Sequence, residues 1–272
     1  MLLLYIGQQL TIYGGIFLFI TGIVGNGINI YMFSTDRIYR TTSSTFYFLC
    51  GSICNAIYIL VILSTRILSG GFDMDFTLTS LAWCKMRQYL SSILSLISFT
   101  CSCLSTIDQF LVTSHNAAIR NRSKIQYARR IIAMIIPIWC LHSIPCLVYF
   151  HIVPAVNSCT SINWIYRTYL SVYTLVLLFA VPVLVNIIFG CLTYRNIRQT
   201  IVLVGENADR QTTIMTFMQV LLIIISATPA GIISGYLTLT SEITKTLDQE
   251  LKEFFAATII ALTSYFYFVV SL

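Results

Sequence analysis

Long hydrophobic stretches alternate with short polar segments along the whole chain. Seven stretches approach the ~20 apolar residues that a helix needs to cross a bilayer, and charged residues fall almost entirely between them. Backbone groups in lipid must pair within their own segment, so we expect each stretch to be a helix. The ~10-residue alternating segments of a transmembrane barrel are absent from the sequence. The stretches cover residues 10–33, 46–63, 88–112, 131–150, 169–192, 214–239 and 254–272.

The composition leads to the same class of protein. Hydrophobic residues make up 57% of the chain and charged residues 10%, whereas a soluble domain carries about 25% charged residues. So few charges cannot form a polar surface, which excludes a soluble enzyme, a nucleic-acid-binding protein and a disordered chain. We therefore predict an all-α membrane protein, a seven-transmembrane-helix bundle that forms a single domain over residues 1–272.

The basic residues divide unequally between the two sides of this predicted bundle. Ten of the 16 Lys and Arg residues lie in the segments after the first, third and fifth stretches. Basic loops stay in the cytoplasm, so we expect the N-terminus outside and the C-terminus inside. The net charge of +6 then reflects the orientation of the helices in the membrane. The alternative is that the basic segment 120–130 is a surface that binds a partner. The ten residues are Arg37, Arg40, Arg120, Arg122, Lys124, Arg129, Arg130, Arg195, Arg198 and Arg210.

The two ends of the sequence carry expectations of their own. The first stretch is too long for a signal peptide and lacks a basic segment and a cleavage site, so we interpret it as a span. Few residues precede it, so we expect no folded ectodomain. The last stretch reaches the end of the sequence, so we expect a truncated chain or one with no cytoplasmic tail.

Two of the nine cysteines stand apart from the others. Seven lie within the stretches and are interpreted as small packing residues, whereas Cys84 and Cys159 lie at the predicted outer face. The outside is oxidising, so we predict a disulfide between these two; a pair of free thiols is the alternative. The three histidines, His115, His142 and His151, are isolated in the sequence. No Cys/His cluster has the spacing of a metal site, and we expect no cofactor.

Polar, proline and aromatic residues follow one another in a recognisable order along the predicted helices. Asp108-Gln109-Phe110 ends the third stretch 24 residues after Cys84, and Asn55 follows Asn26 by 29 residues. A polar side chain within a span must find partners, so these positions should face the bundle interior. Prolines within helices free backbone carbonyls and bend the helix. In chain order the set is Gly25-Asn26, Asn55, Ser98, Asp108-Gln109-Phe110, Trp139, Pro145, Pro182 and Pro229.

This ordered set, with seven helices and an outer cysteine pair, resembles the rhodopsin-like (class A) G-protein-coupled receptors. Within that family it resembles divergent invertebrate receptors of the neuropeptide or chemosensory type. The resemblance implies a plasma-membrane receptor that transmits an extracellular ligand signal to a heterotrimeric G protein. It implies a cytoplasmic switch at Asp108, Gln109 and Phe110. It further implies a polar core at Asn26, Asn55 and Ser98, and helix bends at Pro182 and Pro229.

Several positions depart from the family pattern. Gln109 replaces the Arg of the Asp-Arg-Tyr motif, and Asn55 replaces the buried Asp that attracts sodium. Gly190 stands where the family has a Tyr in the fifth helix. The sixth helix reads Ser226-Ala227-Thr228-Pro229 and lacks the family's Trp, and the seventh reads Ser264-Tyr265-Phe266-Tyr267-Phe268 instead of Asn-Pro-x-x-Tyr. These departures suit a divergent receptor or one that no longer signals.

The resemblance places a ligand pocket between the third, fifth, sixth and seventh helices. Ser91 stands where amine receptors carry an Asp, and the seventh stretch has no Lys for a retinal Schiff base. Ser91, Ser92 and Ser95 share one helical face and line the pocket wall or serve as small packing residues. Tyr173, near Tyr166 and Tyr169, lines the pocket or belongs to an interfacial aromatic belt.

The connection between the sixth and seventh stretches is acidic. Its carboxylates are either ordinary solvated loop charges or a surface that attracts a basic peptide. With no amine site predicted, a peptide ligand is slightly favoured over a small molecule. The acidic residues are Glu242, Asp248, Glu250 and Glu253.

Other function classes find less support in the sequence. Transporters place ionisable residues at the membrane midplane and are often built from repeated halves, and neither feature is evident. A membrane enzyme would need a motif such as His-Glu-x-x-His or a pair of aspartates within the spans, so we expect no enzyme. A non-signalling receptor-like scaffold is the remaining alternative. Asn121 opens the only glycosylation sequon; glycosylation there would contradict the predicted orientation.

Overall fold

The computed structural model describes residues 2–36, 41–153, 158–199, 207–240 and 245–270. These residues form long helices joined by short connections, and six of the helices are long and apolar enough to cross a membrane. The prediction of an all-α membrane protein is therefore confirmed. The long helices within the described residues are α1 (Leu2–Thr35), α2 (Ser43–Gly71), α3 (Leu81–Thr113), α4 (Ile125–Tyr149), α5 (Trp164–Arg198), α6 (Asn207–Leu239) and α7 (Leu247–Val269).

Helix α7 is the one that falls short of the length and composition of a span. Its first two turns carry Asp248, Glu250, Lys252 and Glu253. The apolar part that remains, residues 254–269, extends about 24 Å at 1.5 Å per residue, whereas the hydrocarbon core is about 30 Å thick. The charged first turns therefore explain why α7 differs from α1–α6.

Most helices extend beyond the hydrophobic stretches that predicted them. Side-chain caps outside the stretches mark the start of two of them, α3 and α5: the Ser80 hydroxyl accepts from the Trp83 amide at 3.4 Å, and Asn163 accepts from the Tyr166 amide at 3.1 Å. The predicted fourth span is one residue too long, because Phe150 already belongs to a strand. The predicted end of the seventh span, residues 271–272, lies outside the described residues, as do Arg37 and Arg40.

Three of the helices are irregular. In α2, a π-helical turn at Ile59–Leu63 separates Ser43–Tyr58 from Ser64–Gly71. Helix α4 consists of Ile125–His142 and Ile144–Tyr149. In α5, a π-helical segment at Thr174–Ala180 separates Trp164–Tyr173 from Val181–Gln199.

Proline accounts for two of these irregularities. Pro182 follows the π-helical segment of α5, and a widened turn relieves the clash of a proline ring with the preceding carbonyls. Helix α4 breaks at Ser143, two residues before Pro145, because the proline nitrogen has no hydrogen to donate to the Leu141 carbonyl and its ring clashes with that carbonyl. In contrast, α6 continues through Pro229 as an α-helix.

The helices pack as a closed ring. Helix α1 contacts α2 and α7, α7 contacts α6, α6 contacts α5, and α5 contacts α3, which returns to α2; α4 packs against α2 and α3. Helix α3 is the most enclosed, with 61% of its apolar segment buried, against 44% for α2 and 22% or less for the other candidate spans. Polar side chains on α3 therefore face protein on most sides.

A β-hairpin covers one end of the bundle. Strands β1 (Phe150–Val153) and β2 (Ser158–Ser161) pair antiparallel between α4 and α5, with Ile152 opposite Cys159. Cys159 is disulfide-bonded to Cys84 at the start of α3, with 5.7 Å between their Cα atoms, as the sequence predicted. We name this end the disulfide end. The opposite end, where α3 runs into the basic connection to α4, is the basic end. Short helices at Phe76–Thr79 and Ala117–Arg120 precede and follow α3.

The outward faces of the bundle are apolar. Phe17 is 61% exposed, Ile232 is 69% exposed, and many other large hydrophobic side chains are similarly uncovered. In water, patches of this extent mark interaction sites or aggregation hazards, whereas lipid solvates them. The exposed apolar belt therefore agrees with a membrane environment.

Candidate functional site

Polar side chains meet in the middle of the bundle between α2, α3 and α7. The Ser98 hydroxyl donates to Oδ1 of Asn55 at 2.5 Å and lies 3.2 Å from the Tyr267 hydroxyl. The Tyr267 hydroxyl donates to the carbonyl oxygen of Ser98 at 3.1 Å. All three residues are buried. The structure thus brings the predicted residues Asn55 and Ser98 together and adds Tyr267, which the sequence reasoning missed.

Asn26 lies apart from that group. Its Nδ2 donates to the carbonyl oxygens of Gly22 at 2.8 Å and of Phe268 at 2.9 Å, which joins α1 to α7. Its Oδ1 is buried and has no hydrogen-bond partner within the described part of the chain. The predicted polar core is therefore two separate contacts, one between α1 and α7 and one between α2, α3 and α7.

A further buried amide, Asn186 of α5, lies one helical turn after Pro182. The Thr106 hydroxyl donates to Oδ1 of Asn186 at 2.6 Å, and Nδ2 of Asn186 donates to the Pro182 carbonyl at 2.8 Å. Asn186 is fully buried. The signal that could have revealed it is an amide side chain inside the fifth hydrophobic stretch, since such a group must find polar partners.

The Thr106→Val substitution tests this contact. Valine keeps the shape but removes the hydroxyl, which leaves Oδ1 of Asn186 buried without that donor. We expect the free energy of unfolding to fall by about 1–3 kcal/mol, measured by thermal unfolding in detergent micelles. Thr168→Val is the matched control, because the Thr168 hydroxyl is exposed and donates to the Trp164 carbonyl of its own helix. Equal effects of the two substitutions would contradict the expectation.

At the basic end, the predicted switch residues Asp108 and Gln109 are buried. The Ser44 hydroxyl donates to Oδ2 of Asp108 at 2.5 Å, and the Ser123 hydroxyl donates to Oδ1 at 2.6 Å. Nε2 of Gln109 donates to the Ser44 hydroxyl at 3.0 Å. Ser44 lies in the first turn of α2 and Ser123 precedes α4, so these bonds join α3 to both neighbouring segments. We call Ser44, Asp108, Gln109 and Ser123 the basic-end network.

Phe110, the third predicted switch residue, does not join this network. Its ring meets the ring of Phe189 edge-on, with 5.6 Å between centroids, at the contact between α3 and α5. The sequence reasoning missed Ser44 and Ser123. Both are short hydroxyl residues in polar segments, and nothing in their local sequence distinguishes them from ordinary turn residues.

The predicted pocket residues divide into two groups at the disulfide end. The Ser92 hydroxyl lies 2.9 Å from the Tyr173 hydroxyl and 3.0 Å from the Ser143 hydroxyl, so Ser92 and Tyr173 do meet. The Ser95 hydroxyl donates instead to the Ser91 carbonyl of its own helix at 2.7 Å. Ser143 enters this contact because α4 breaks there, which the sequence reasoning did not foresee.

The tyrosines at the start of α5 form a stack along one side of the helix. Tyr169 lies between Tyr166 and Tyr173, with ring centroids 5.9 and 6.1 Å away. The Tyr169 hydroxyl bonds to Nε2 of His142 in α4 at 2.7 Å. Tyr169 is 43% exposed, whereas the other two are 7% exposed. Only Tyr169 therefore suits an interfacial aromatic belt, and its neighbours pack inside the bundle.

Two of the three described acidic residues in the first turns of α7 are paired with lysines. Glu253 forms an ion pair with Lys245 at 2.5 Å, and Asp248 pairs with Lys252 at 2.6 Å. The hydrogen bond from the Lys245 ammonium holds the pKa of Glu253 below its ordinary value. Glu250 is exposed, and Glu242 lies outside the described residues. The described part of this segment therefore carries little unpaired negative charge with which to attract a basic peptide.

The described residues contain no group of three or more His, Cys, Asp or Glu side chains that could hold a metal ion. In comparisons with known proteins, no family model matches the chain, and no curated sequence matches it. What the protein does must therefore be inferred from its own residues.

Proposed function

We propose that this protein is a seven-span receptor of the rhodopsin-like type that passes an extracellular ligand signal to a heterotrimeric G protein. In this proposal the disulfide end faces outward, the basic end faces the cytoplasm, and α7 is the seventh span. The plasma membrane is the proposed location, because the ligand comes from outside the cell.

One observation carries the proposal: buried and partly buried hydrogen bonds join α3 to its neighbours at three depths of the bundle. Ser92 bonds to Tyr173 near the disulfide end, Ser98 bonds to Asn55 and Tyr267 in the middle, and Asp108 bonds to Ser44 near the basic end. Interfaces between packed helices are bistable rather than continuously deformable, so a bundle joined in this way suits a two-state switch.

A receptor of this kind needs a ligand that binds its two states unequally. Differential affinity is the only thermodynamic source of the signal. A ligand that binds near Ser92 and Tyr173 lies at one end of α3, and the basic-end network lies at the other end of the same helix. Ser44 both donates to Asp108 and accepts from Gln109, so opening the basic end for a partner must break bonds at this hydroxyl.

The distribution of charge supports the proposed orientation. Positive residues collect on the cytoplasmic side of membrane proteins, and the connection from α3 to α4 is basic and largely exposed. The exposed sequon residue Asn121 lies in the same connection. In the described part of the chain, the basic residues at this end are Arg120, Arg122, Lys124, Arg129, Arg130, Arg195, Arg198 and Arg210.

The experiment that tests the proposal is G-protein dissociation in living cells, measured with a panel of sensors. Ser44→Ala removes a hydroxyl that holds the basic end closed, so we expect ligand-independent dissociation to rise. Loss of about 1–1.4 kcal/mol of hydrogen bonding corresponds to a roughly five- to tenfold rise. Ser34→Ala is the matched control, because Ser34 is exposed on α1 and donates to the Tyr31 carbonyl of its own helix.

Surface staining must first show that each variant reaches the plasma membrane. No rise with Ser44→Ala, together with no response in the Gln109→Arg variant or to a peptide and small-molecule library, would contradict the proposal. That result would favour a non-signalling receptor-like scaffold, which is supported by the neutral Gln109 in place of an Arg. The Gln109 side chain is buried against Ser44.

A further inference from the structure

Ser123 ties the connection between α3 and α4 to the buried end of α3. Its hydroxyl donates to Oδ1 of Asp108 at 2.6 Å, and Asp108 is 5% exposed. The Ser123 amide donates to the Arg120 carbonyl at 3.1 Å, which closes a turn just before α4 begins. Hydrogen bonds to a carboxylate are stronger than those between neutral groups. We name residues 114–124 the basic connection; release of the Ser123 side chain would remove its bond to Asp108.

Basic residues surround Ser123 in the sequence. Arg120 lies three residues before it, Arg122 lies directly before it, and Lys124 lies directly after it. All three are exposed, and neither ion pair in the described part of the chain involves them. The basic connection contains no Asp or Glu. Kinases select their substrates by patterns of charge, and an arginine three residues before a serine is a pattern that acidic kinase clefts recognise.

The backbone around Ser123 is not helical. Residues 121–122 form a turn, residues 123–124 lie outside any helix, and Lys124 is extended, with φ −125° and ψ 135°. Ser123 is partly buried, and its bond to Asp108 must break before the hydroxyl can enter a kinase cleft. A kinase would therefore react with the conformation in which the Ser123 side chain has left Asp108.

We propose that Ser123 is a phosphorylation site for a cytoplasmic serine kinase that selects basic sequences, and that the phosphate releases the basic connection from Asp108. The kinase transfers the terminal phosphoryl group of ATP. The bond from its phosphorus to the bridging oxygen breaks, a bond to Oγ of Ser123 forms, the hydroxyl proton passes to a base of the kinase, and ADP leaves. The inference rests on the proposed function in placing the basic end in the cytoplasm, where ATP is available.

Phosphorylation turns the attraction between Ser123 and Asp108 into repulsion. The hydroxyl donates a hydrogen bond to the carboxylate, whereas a phosphate carries a charge of about −1.5 to −2 and offers acceptor oxygens. The exposed Arg120 and Arg122 supply donors that match those oxygens. Both effects move Ser123 away from α3. Asp108 keeps its bond from Ser44, so the contact that is lost is the one to the segment before α4.

Ser123 is also the serine of the sequon Asn121-Arg122-Ser123. A glycan is added to such an asparagine in a secretory compartment, whereas kinases that select basic sequences act in the cytoplasm. The two modifications therefore mark opposite sides of the membrane. Phosphate on Ser123 fits the proposed orientation, and a glycan on Asn121 contradicts it.

The first test is phosphorylation of the full chain in maltoside micelles. The catalytic domain of a calmodulin-dependent serine kinase, which selects an arginine three residues before the serine, is supplied with magnesium and ATP. Peptide mass spectrometry should locate a phosphate on Ser123 that is absent from Ser123→Ala. Arg120→Gln should react about tenfold more slowly, because it loses a charge-assisted contact with the kinase.

Arg129→Gln is the matched control, because it removes the same charge from an exposed position beyond Ser123. It should react at the wild-type rate. An unmodified Ser123, or equal rates for Arg120→Gln and Arg129→Gln, would overturn the site.

The second test measures the release from Asp108. Phosphoserine is inserted at position 123 by a suppressor tRNA, and amide hydrogen exchange of residues 120–128 is followed by mass spectrometry. We expect exchange about tenfold faster than in the wild type, because the bond to Asp108 is lost. Phosphoserine at position 34 is the matched control, since Ser34 is exposed and donates to the Tyr31 carbonyl of its own helix. Unchanged or slower exchange with phosphoserine at 123 would overturn the release.

The same modification is then sought in cells that express the chain together with the kinase domain. We expect phosphate on Ser123 and no glycan on Asn121; a glycan there, or an unmodified Ser123, would overturn the inference. No G protein takes part in the micelle measurements. Failure of these measurements would therefore leave the receptor proposal standing, and absent G-protein signalling would leave the phosphorylation site standing.

Discussion

We expect the double variant Cys84→Ser/Cys159→Ser to lose about 4 kcal/mol of unfolding free energy. The disulfide closes a loop of 75 residues, and the entropy that such a bond removes from the unfolded chain grows with loop length. Cys84 is also buried in a small cluster with Cys146, Phe150 and Tyr166. Losing the bond frees the hairpin and disturbs this packing.

Thermal unfolding in detergent micelles, with and without a reductant, measures this effect. Cys191→Ser is the control, because Cys191 is an exposed free thiol in α5. We expect reductant to lower the unfolding temperature of the wild type and of the control, and to leave the double variant unchanged. If wild type and double variant unfold alike without reductant, the disulfide does not contribute as argued.

The hydrophobic pattern was enough to predict the helices and the membrane environment. Runs of apolar residues indicate that a segment is buried or contacts lipid. In lipid the backbone N–H and C=O groups of such a run must bond to one another, which makes the run a helix. Helix ends were harder to predict, because capping residues such as Ser80 and Asn163 lie in polar segments outside the runs. The pattern also treated α7 like its neighbours, although the charges in its first two turns shorten its apolar part.

The candidate site was only partly predictable. Asn55 stood out because an amide inside a span needs a partner. Its partner Ser98 was included in the polar core that the resemblance to the receptor family implies. Tyr267 and Ser44 did not stand out, because hydroxyl residues are common in the chain and the pattern does not fix how each helix is rotated in the bundle. Tertiary packing decides which hydroxyls meet.

Replacing Gly22 with leucine is expected to cost about 3 kcal/mol of unfolding free energy, through overpacking. A Cβ atom at Gly22 would lie 2.5 Å from Cδ1 of Ile59 and 3.1 Å from Cγ2 of Val269. Ile59 is fully buried, so it has little room to move. The carbonyl of Gly22 also accepts from Nδ2 of Asn26, which bonds in turn to the Phe268 carbonyl. Forcing α1 away would break that bond as well.

Gly27→Leu is the matched control on the same helix. Nothing lies within 4 Å of a Cβ atom at Gly27, which is exposed on the outward face. There the new side chain meets detergent or lipid, and leucine favours the helix over glycine by up to about 1 kcal/mol. Thermal unfolding in micelles should therefore show a large loss for Gly22→Leu and no loss for Gly27→Leu. Similar unfolding temperatures for both variants would contradict the close packing of α1 against α2 and α7. Because that packing keeps α7 beside α1, a loss specific to Gly22→Leu would also support α7 as a member of the bundle despite its charged first turns.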